Sequence, residues 1–293
     1  MEATLLYSIL LELMVRHAAA IPLTMGHLTH ALLLNLVKQF DPALSARLHD
    51  KPGYRPYTVS PLRGVTIVGE RITLRRGQPC HLRITLLDGG ILWRALQTHF
   101  LEAGLIQVCL GDTSFQLARI LSTPTADSTN WASSTDWQSL NTLPAQRTIT
   151  MHFSTATAFS LSERRFGLFP EPSLVWGSLL RDWNSYAPDH WKMDKQAIRA
   201  SADKHISVTA CKLSTEFLHF PGYVQKGFVG HCTYQVSAVE PLAAHLTTLA
   251  SFALYSGVGY KTTMGIGQVR VEFGTPSSQK CEQKYNTSVV SCL

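Results

Sequence analysis

Four glycines fall within residues 257–267 of this chain, in the run Ser256-Gly257-Val258-Gly259-Tyr260-Lys261-Thr262-Thr263-Met264-Gly265-Ile266-Gly267. A backbone this bare can approach an anion closely, and its N–H groups can form a nest for phosphate oxygens. Lys261 would add charge, and Thr262 and Thr263 would add hydroxyl donors. An ordinary glycine-capped turn is the competing reading, and Gly257 alone would satisfy it. Two other phosphate loops are excluded. A Walker loop needs Gly-Lys-Thr, whereas Tyr260 separates Gly259 from Lys261; a dinucleotide fingerprint needs a glycine where Thr262 stands. Both of those motifs open a helix, and this run follows one and leads into a strand.

The other chemistry-bearing residues are the twelve histidines, whose reference pKa of ~6.5 suits proton transfer near neutrality. His49 sits beside Asp50 and Lys51 in a polar segment, and His30 lies in an apolar run that begins at Gly26. A surface loop histidine and a buried, backbone-bonded one are the plain alternatives. His27-x-x-His30 has the spacing of a metal pair but lacks a third ligand to match, and Cys80, Cys109, Cys211, Cys232, Cys281 and Cys292 contain no C-x-x-C. No metal and no cofactor are expected, and a reducing compartment, the cytoplasm, is the default.

These groups need a scaffold, and composition supplies one: 45% of the 293 residues are apolar and 16% charged, enough for a buried core and too little charge for disorder. Residues 4–16 read as a strand, 26–40 as a helix stopped by Asp41-Pro42, and 42–48 as a short turn. Residues 57–68 and 80–87 read as strands, 90–101 as a helix, and 105–110 and 115–121 as strands. Residues 123–146, rich in Ser, Thr, Asn and Asp, read as a linker. The order then repeats: strand 147–160, helix 171–186, strands 205–213 and 224–236, helix 241–255, strand 268–273. Two β-α-β-β-α-β units in series predict an α+β fold of two tandem ferredoxin-like domains. The expected divisions are 1–122, a linker at 123–146, 147–273, and a polar tail at 274–293. The N-terminus lacks a basic region and no apolar run reaches 18 residues, so neither a signal peptide nor a membrane span is expected. The net charge of +6 is mild, so any polyanionic partner must meet a folded surface.

Placed in this order, the segments resemble a known family. The glycine run after the penultimate element resembles the C-terminal signature of the CRISPR precursor-RNA endoribonucleases, the Cas-six family of repeat-associated RNA-binding proteins. Gly26-x-x-x-His30, Leu48-His49-Asp50, Tyr57-Thr58-Val59-Ser60-Pro61-Leu62, Trp176-Gly177-Ser178-Leu179-Leu180-Arg181-Asp182-Trp183-Asn184 and Gln225-Lys226-Gly227-Phe228-Val229-Gly230 resemble further family segments, in family order. Met264-Gly265-Ile266-Gly267 departs from the Gly-Met-Gly of many relatives.

The resemblance implies a metal-independent ribonuclease acting on the repeat of a long precursor RNA. A ribose 2′-OH attacks the adjacent phosphate, leaving a 2′,3′-cyclic phosphate and a 5′-hydroxyl. Such a reaction needs a base, an acid and cationic help. The resemblance makes His49 the first candidate for proton transfer, with His30 second and Lys51 as the cation; Tyr54 and Tyr57 are candidates for orienting the 2′-OH. For RNA binding it implies Gly257, Gly259, Lys261, Thr262, Gly265 and Gly267, with Gln225 and Lys226 on a nearby strand. Arg164 and Arg165 beside a turn, and Arg63, are further candidates, against the plain reading of solvated cations. The expected partner is repeat RNA, with other CRISPR effector subunits as further partners and no small-molecule substrate. The rival function is a non-catalytic repeat-RNA-binding subunit of an effector complex. A nucleotide-binding enzyme is disfavoured by the helix-then-strand order at the glycines.

Overall fold

An eleven-residue strand, β1 (Leu5–Val15), occupies the middle of the first sheet, which explains why most of its residues are buried. The structure is a computed structural model that describes residues 5–50, 55–69, 71–90, 93, 106–124, 129–162, 165–220 and 222–274. After β2 (Ala19–Pro22) come two helices, α1 (Gly26–Phe40) and α2 (Pro42–Asp50). Asp41 ends α1, and its carboxylate accepts from the Leu44 N–H in the first turn of α2. Strands β3 (Tyr57–Val59), β4 (Thr66–Val68), β5 (Arg71–Leu74), β6 (Pro79–Leu86), β7 (Gln107–Leu110) and β8 (Thr113–Leu121) follow.

The first sheet runs β3-β6-β1-β8-β7. Its first four members have the ferredoxin-like arrangement, with β6 antiparallel between β3 and β1. One strand had been expected over 57–68. It breaks instead into β3, on the main sheet, and β4, on a small sheet ordered β2-β5-β4. Pro61 and Gly64 (φ +75°) lie between the two and turn the chain away from the ladder. The expected helix at 90–101 lies almost entirely outside the described residues.

The segment read as a linker is partly folded. β9 (Ser133–Asp136) pairs with the start of β1, and α3 (Trp137–Asn141) follows, with the Asp136 side chain capping it through the Ser139 N–H at 2.7 Å. Trp137 is buried edge-on against Trp183. Local polarity concealed this anchoring, because its partners lie far off in the chain: β1 upstream and Trp183 more than forty residues downstream.

The second half comprises β10 (Thr148–Thr157), β11 (Phe159–Ser162), β12 (Arg165–Gly167), α4 (Pro172–Tyr186), α5 (Lys195–His205), β13 (Ile206–Phe220), β14 (Tyr223–Val236), α6 (Leu242–Ser256) and β15 (Val269–Phe273). Its main sheet runs β13-β14-β10-β15, the same ferredoxin-like order. The fold is thus two tandem ferredoxin-like units. Helix α5 was not anticipated; Asp194 caps it by accepting from the Gln196 and Ala197 N–H groups. β13 continues to Phe220, well past the strand end expected near 213. One core gathers around α1 and the first sheet, the other around Trp176, Trp183 and Phe252 between α4, α6 and the second sheet. Each of these fully buried large side chains contributes about 1.5–3 kcal/mol. No helix among the described residues is long and apolar enough to cross a membrane. The expected tail beyond Gly274 lies outside the described residues.

Candidate active site

His30 lies in the second turn of α1, half-buried, and its ring faces Tyr57 on β3 with centroids 5.7 Å apart. Its Nδ1 is 3.3 Å from the Thr263 carbonyl oxygen and 3.4 Å from the Tyr57 hydroxyl. A carbonyl can only accept, so Nδ1 carries the proton and Nε2 keeps its lone pair. Burial lowers the His30 pKa below the usual histidine value, the Arg55 charge lowers it further, and His49 adds a smaller push the same way; the Thr263 carbonyl opposes them. At neutral pH His30 is therefore an uncharged base with a set tautomer. Burial pushes the Tyr57 hydroxyl up to about 12, so it stays protonated.

His49 sits exposed at the end of α2, near enough for its charge to act on His30. The two candidate histidines thus lie on the successive helices α1 and α2, with the field of His49 reaching His30. Lys51 and Tyr54 lie outside the described residues. Arg55, which no sequence signal singled out, comes next to this pair. Its backbone N–H donates to the Tyr186 hydroxyl from α4 at 3.2 Å, joining the two halves.

The glycine segment completes the site by a route other than the one expected. The N–H groups of Gly257, Val258, Gly259, Tyr260 and Gly267 are already bonded to Ala253 O, Gly267 O, Ser178 Oγ, Ala158 O and Ala156 O. These donors cannot form an anion nest. The glycines serve close backbone approach instead. A Cβ at Gly259 would lie 2.4 Å from the Ala158 oxygen, and one at Gly267 would lie 2.1 Å from the Val258 oxygen. At Gly265 it would press on Pro61 at 3.2 Å. Gly26, the first residue of α1, meets the same segment from the other side: its Cβ would lie 1.9 Å from the Met264 oxygen. The segment is therefore clamped between the halves, and the short 3₁₀ turn Thr262–Met264 is held where Thr263 reaches His30.

Lys261 does face the open space. It adopts a left-handed conformation (φ 56°), donates to the Tyr223 hydroxyl, and lies among the rings of Tyr223 (4.2 Å), Tyr260 (5.1 Å) and Phe220 (5.3 Å). With Thr262, Arg55, Tyr57, Tyr186 and Arg181 it lines a cleft of about 440 Å³. Asp182 shares this cleft and pairs with Arg181 at 2.9 Å; burial raises its carboxyl above the usual range and Arg181 opposes this. Arg181 and Asp182 lie in a segment resembling the family and Tyr186 just after it, but nothing in their spacing shows that α4 directs them at the cleft.

The remaining candidates are scattered. Gln225 is buried, 4% exposed, and its amide donates to the Lys226 carbonyl. Lys226 is exposed, with its ammonium 5.5 Å from the Phe217 ring centre. Arg165 is exposed on β12, and Arg164 lies outside the described residues. Arg63 packs over the Trp131 ring at 4.8 Å, and its backbone bridges to His81 on the neighbouring strand. Among the described residues no group of three or more His, Cys, Asp or Glu side chains is arranged to hold a metal ion.

This arrangement can be compared with known proteins. The family model for the CRISPR Cas6 N-terminal domain matches residues 5–142, and that for CRISPR-associated endoribonuclease Cas6 matches residues 151–269. The chain belongs to the Cas6 family. A curated Cas6 endoribonuclease of Streptococcus thermophilus is 26% identical over 120 residues, 41% of this chain and 49% of that protein. The chain spans about half the length of the curated relatives it matches. Among solved structures, a Cas6 product complex is 28% identical with a TM-score of 0.76, covering 92% of this chain and 100% of that one. Thermus thermophilus Cas6 is also 28% identical, with a TM-score of 0.69 and coverage of 93% and 100%. The two family models and the solved structures span both halves, so the His30 helix and the glycine segment both fall within the shared fold.

Proposed function

We propose that this chain cuts CRISPR repeat RNA within its precursor transcript, by a transesterification that uses no metal ion. The observation that carries the reading is the convergence, at one join between the halves, of a neutral histidine of set tautomer with a second histidine and two cations. His30 Nε2 takes the proton of the ribose 2′-OH as the 2′-oxygen bonds to phosphorus. The bond to the 5′-oxygen breaks, and His49 supplies the proton that this oxygen takes. Arg55 and Lys261 face the charge that develops on the phosphoryl oxygens. The products are a 2′,3′-cyclic phosphate and a 5′-hydroxyl. The Tyr57 hydroxyl and the Thr263 carbonyl hold the imidazole and do not exchange protons with substrate.

A synthetic repeat RNA incubated with the protein in EDTA tests this. The expected result is one cut, abolished by a single 2′-deoxy substitution at that position. Cleavage of the deoxy substrate, or a requirement for added metal, would overturn the mechanism. Tight binding of repeat RNA with no cleavage would favour the rival, a repeat-RNA-binding subunit.

A further inference from the structure

A second cavity of about 330 Å³ lies on the other side of Tyr260 from the candidate cleft, between α4, α5 and β11. The two cavities share Arg181, Gly259 and Tyr260 as a common wall. Arg181 is fixed there, donating to the Gly259 carbonyl at 3.3 Å and the Ser178 hydroxyl at 3.4 Å. Across the cavity stand Lys195 and Arg199, one turn apart on α5 and both exposed. Among the described residues neither pairs with a carboxylate, and no carboxylate lines the cavity. Its floor is open because Gly177 stands in the middle of α4, where an added Cβ would meet no atom within 4 Å.

Lys195 and Arg199 beside a concave, carboxylate-free space, continuous with a cleft for a phosphodiester, favour a polyanion that runs through both; Arg181, paired with Asp182, forms the shared wall. We propose that this cavity holds the phosphates of the single-stranded RNA that leaves the cleft over Tyr260, with Lys195 and Arg199 as its contacts. The inference rests on the reading of the cleft as an RNA-cutting site. A cavity of about 330 Å³ is too small to admit a base-paired stem and suits a splayed single strand. Each ammonium or guanidinium that neutralises a phosphate releases counterions, so the cavity should show itself as salt dependence.

The test measures binding of uncleavable 2′-deoxy repeat RNA, shortened stepwise from either end, against salt concentration. Two variants are compared with the wild type: Lys195→Ala/Arg199→Ala, which removes the charge, and Gly177→Met, which fills the floor and leaves the charge. One truncation series should lose affinity in the wild type at the step where the strand no longer reaches the cavity. For the full-length RNA, the alanine variant should flatten the plot of log K against log salt by about 1.4, two contacts at roughly 0.7 each. Gly177→Met should weaken the full-length RNA about tenfold. For the RNA cut back past that step, both variants should bind as the wild type does, and both should cut saturating substrate at the wild-type rate. Full-length RNA binding equally to either variant and to the wild type would overturn the assignment, as would an equal loss for short and long RNA. Those outcomes leave the cleft standing provided the wild type cuts repeat RNA; a wild type that does not cut removes the premise itself.

Discussion

The two halves of this molecule meet at two joins of opposite character. At one, Arg83 of β6 is wholly buried, donating to the Ser8 hydroxyl at 2.8 Å, to the Gln268 side chain and to the Leu254 carbonyl, with its guanidinium 4.6 Å over Trp131. Gln268 in turn donates to the Thr58 hydroxyl and the Val59 carbonyl. At the other join, the His30 Nδ1 meets the Thr263 carbonyl and the Tyr57 hydroxyl, and Tyr57 and Thr263 themselves line the open cleft. Both use a polar side chain of the first unit against backbone of the second. The closed join spends its donors on the protein, and the open one keeps Nε2 and two cations for a ligand. Bonding capacity left over, and not charge as such, separates the open join from the closed one.

That contrast can be broken at several points. His30→Ala should lower single-turnover cleavage by about 10³-fold, roughly 4 kcal/mol of barrier, with RNA binding retained. A fully active variant would move the base elsewhere, to His49 first. Arg83→Met should cost about 3 kcal/mol in urea unfolding, because buried acceptors from both units lose their partner. A protein of unchanged stability would mean that the closed join is not closed. Gly26→Ala should lower cleavage about 10²-fold by pushing the Met264 carbonyl, and with it Thr263, off the histidine. The effect should fall on the rate and not on affinity.

The smallest effect concerns pH. The His30 pKa is lowered, so its base form persists below the ordinary histidine value of about 6.5, and the acid limb of the cleavage rate should lie on the acid side of that value. Arg55→Gln removes one cause of the lowering, so this limb should move up toward 6.5, as a pH–rate profile under single turnover would show. The same shift sets a stability trend. The folded pKa lies below the unfolded one, so the unfolded chain takes up the proton first, and His30 withdraws stability as pH falls from the unfolded value toward the folded one.

Much of this scaffold was legible from the residues alone. The helix 26–40 shows itself through Asp41-Pro42, and the repeated order of strands and helices gives the tandem fold. What escaped depended on distance. Nothing local marks Asp194 as a cap until Ile198 and Ala202 find a core to enter. The single strand expected at 57–68 ignored what Pro61 and Gly64 do to a ladder. The glycine run stands out in the sequence, but its structural meaning lies in the partners of its N–H groups, which include Ala156, Ala158 and Ser178, far away in the chain. His30 and His49 were both flagged, while Arg55 stands in a loop whose neighbours come from α1 and α4.

The bond between His30 and Thr263 spans 233 positions. During synthesis the imidazole emerges long before the carbonyl that sets its tautomer, and the last turn of the site is laid down only after α6. A growing chain, or one cut short before residue 263, carries the histidines without the contact that orients them. That contact is therefore completed only once both units are made and docked.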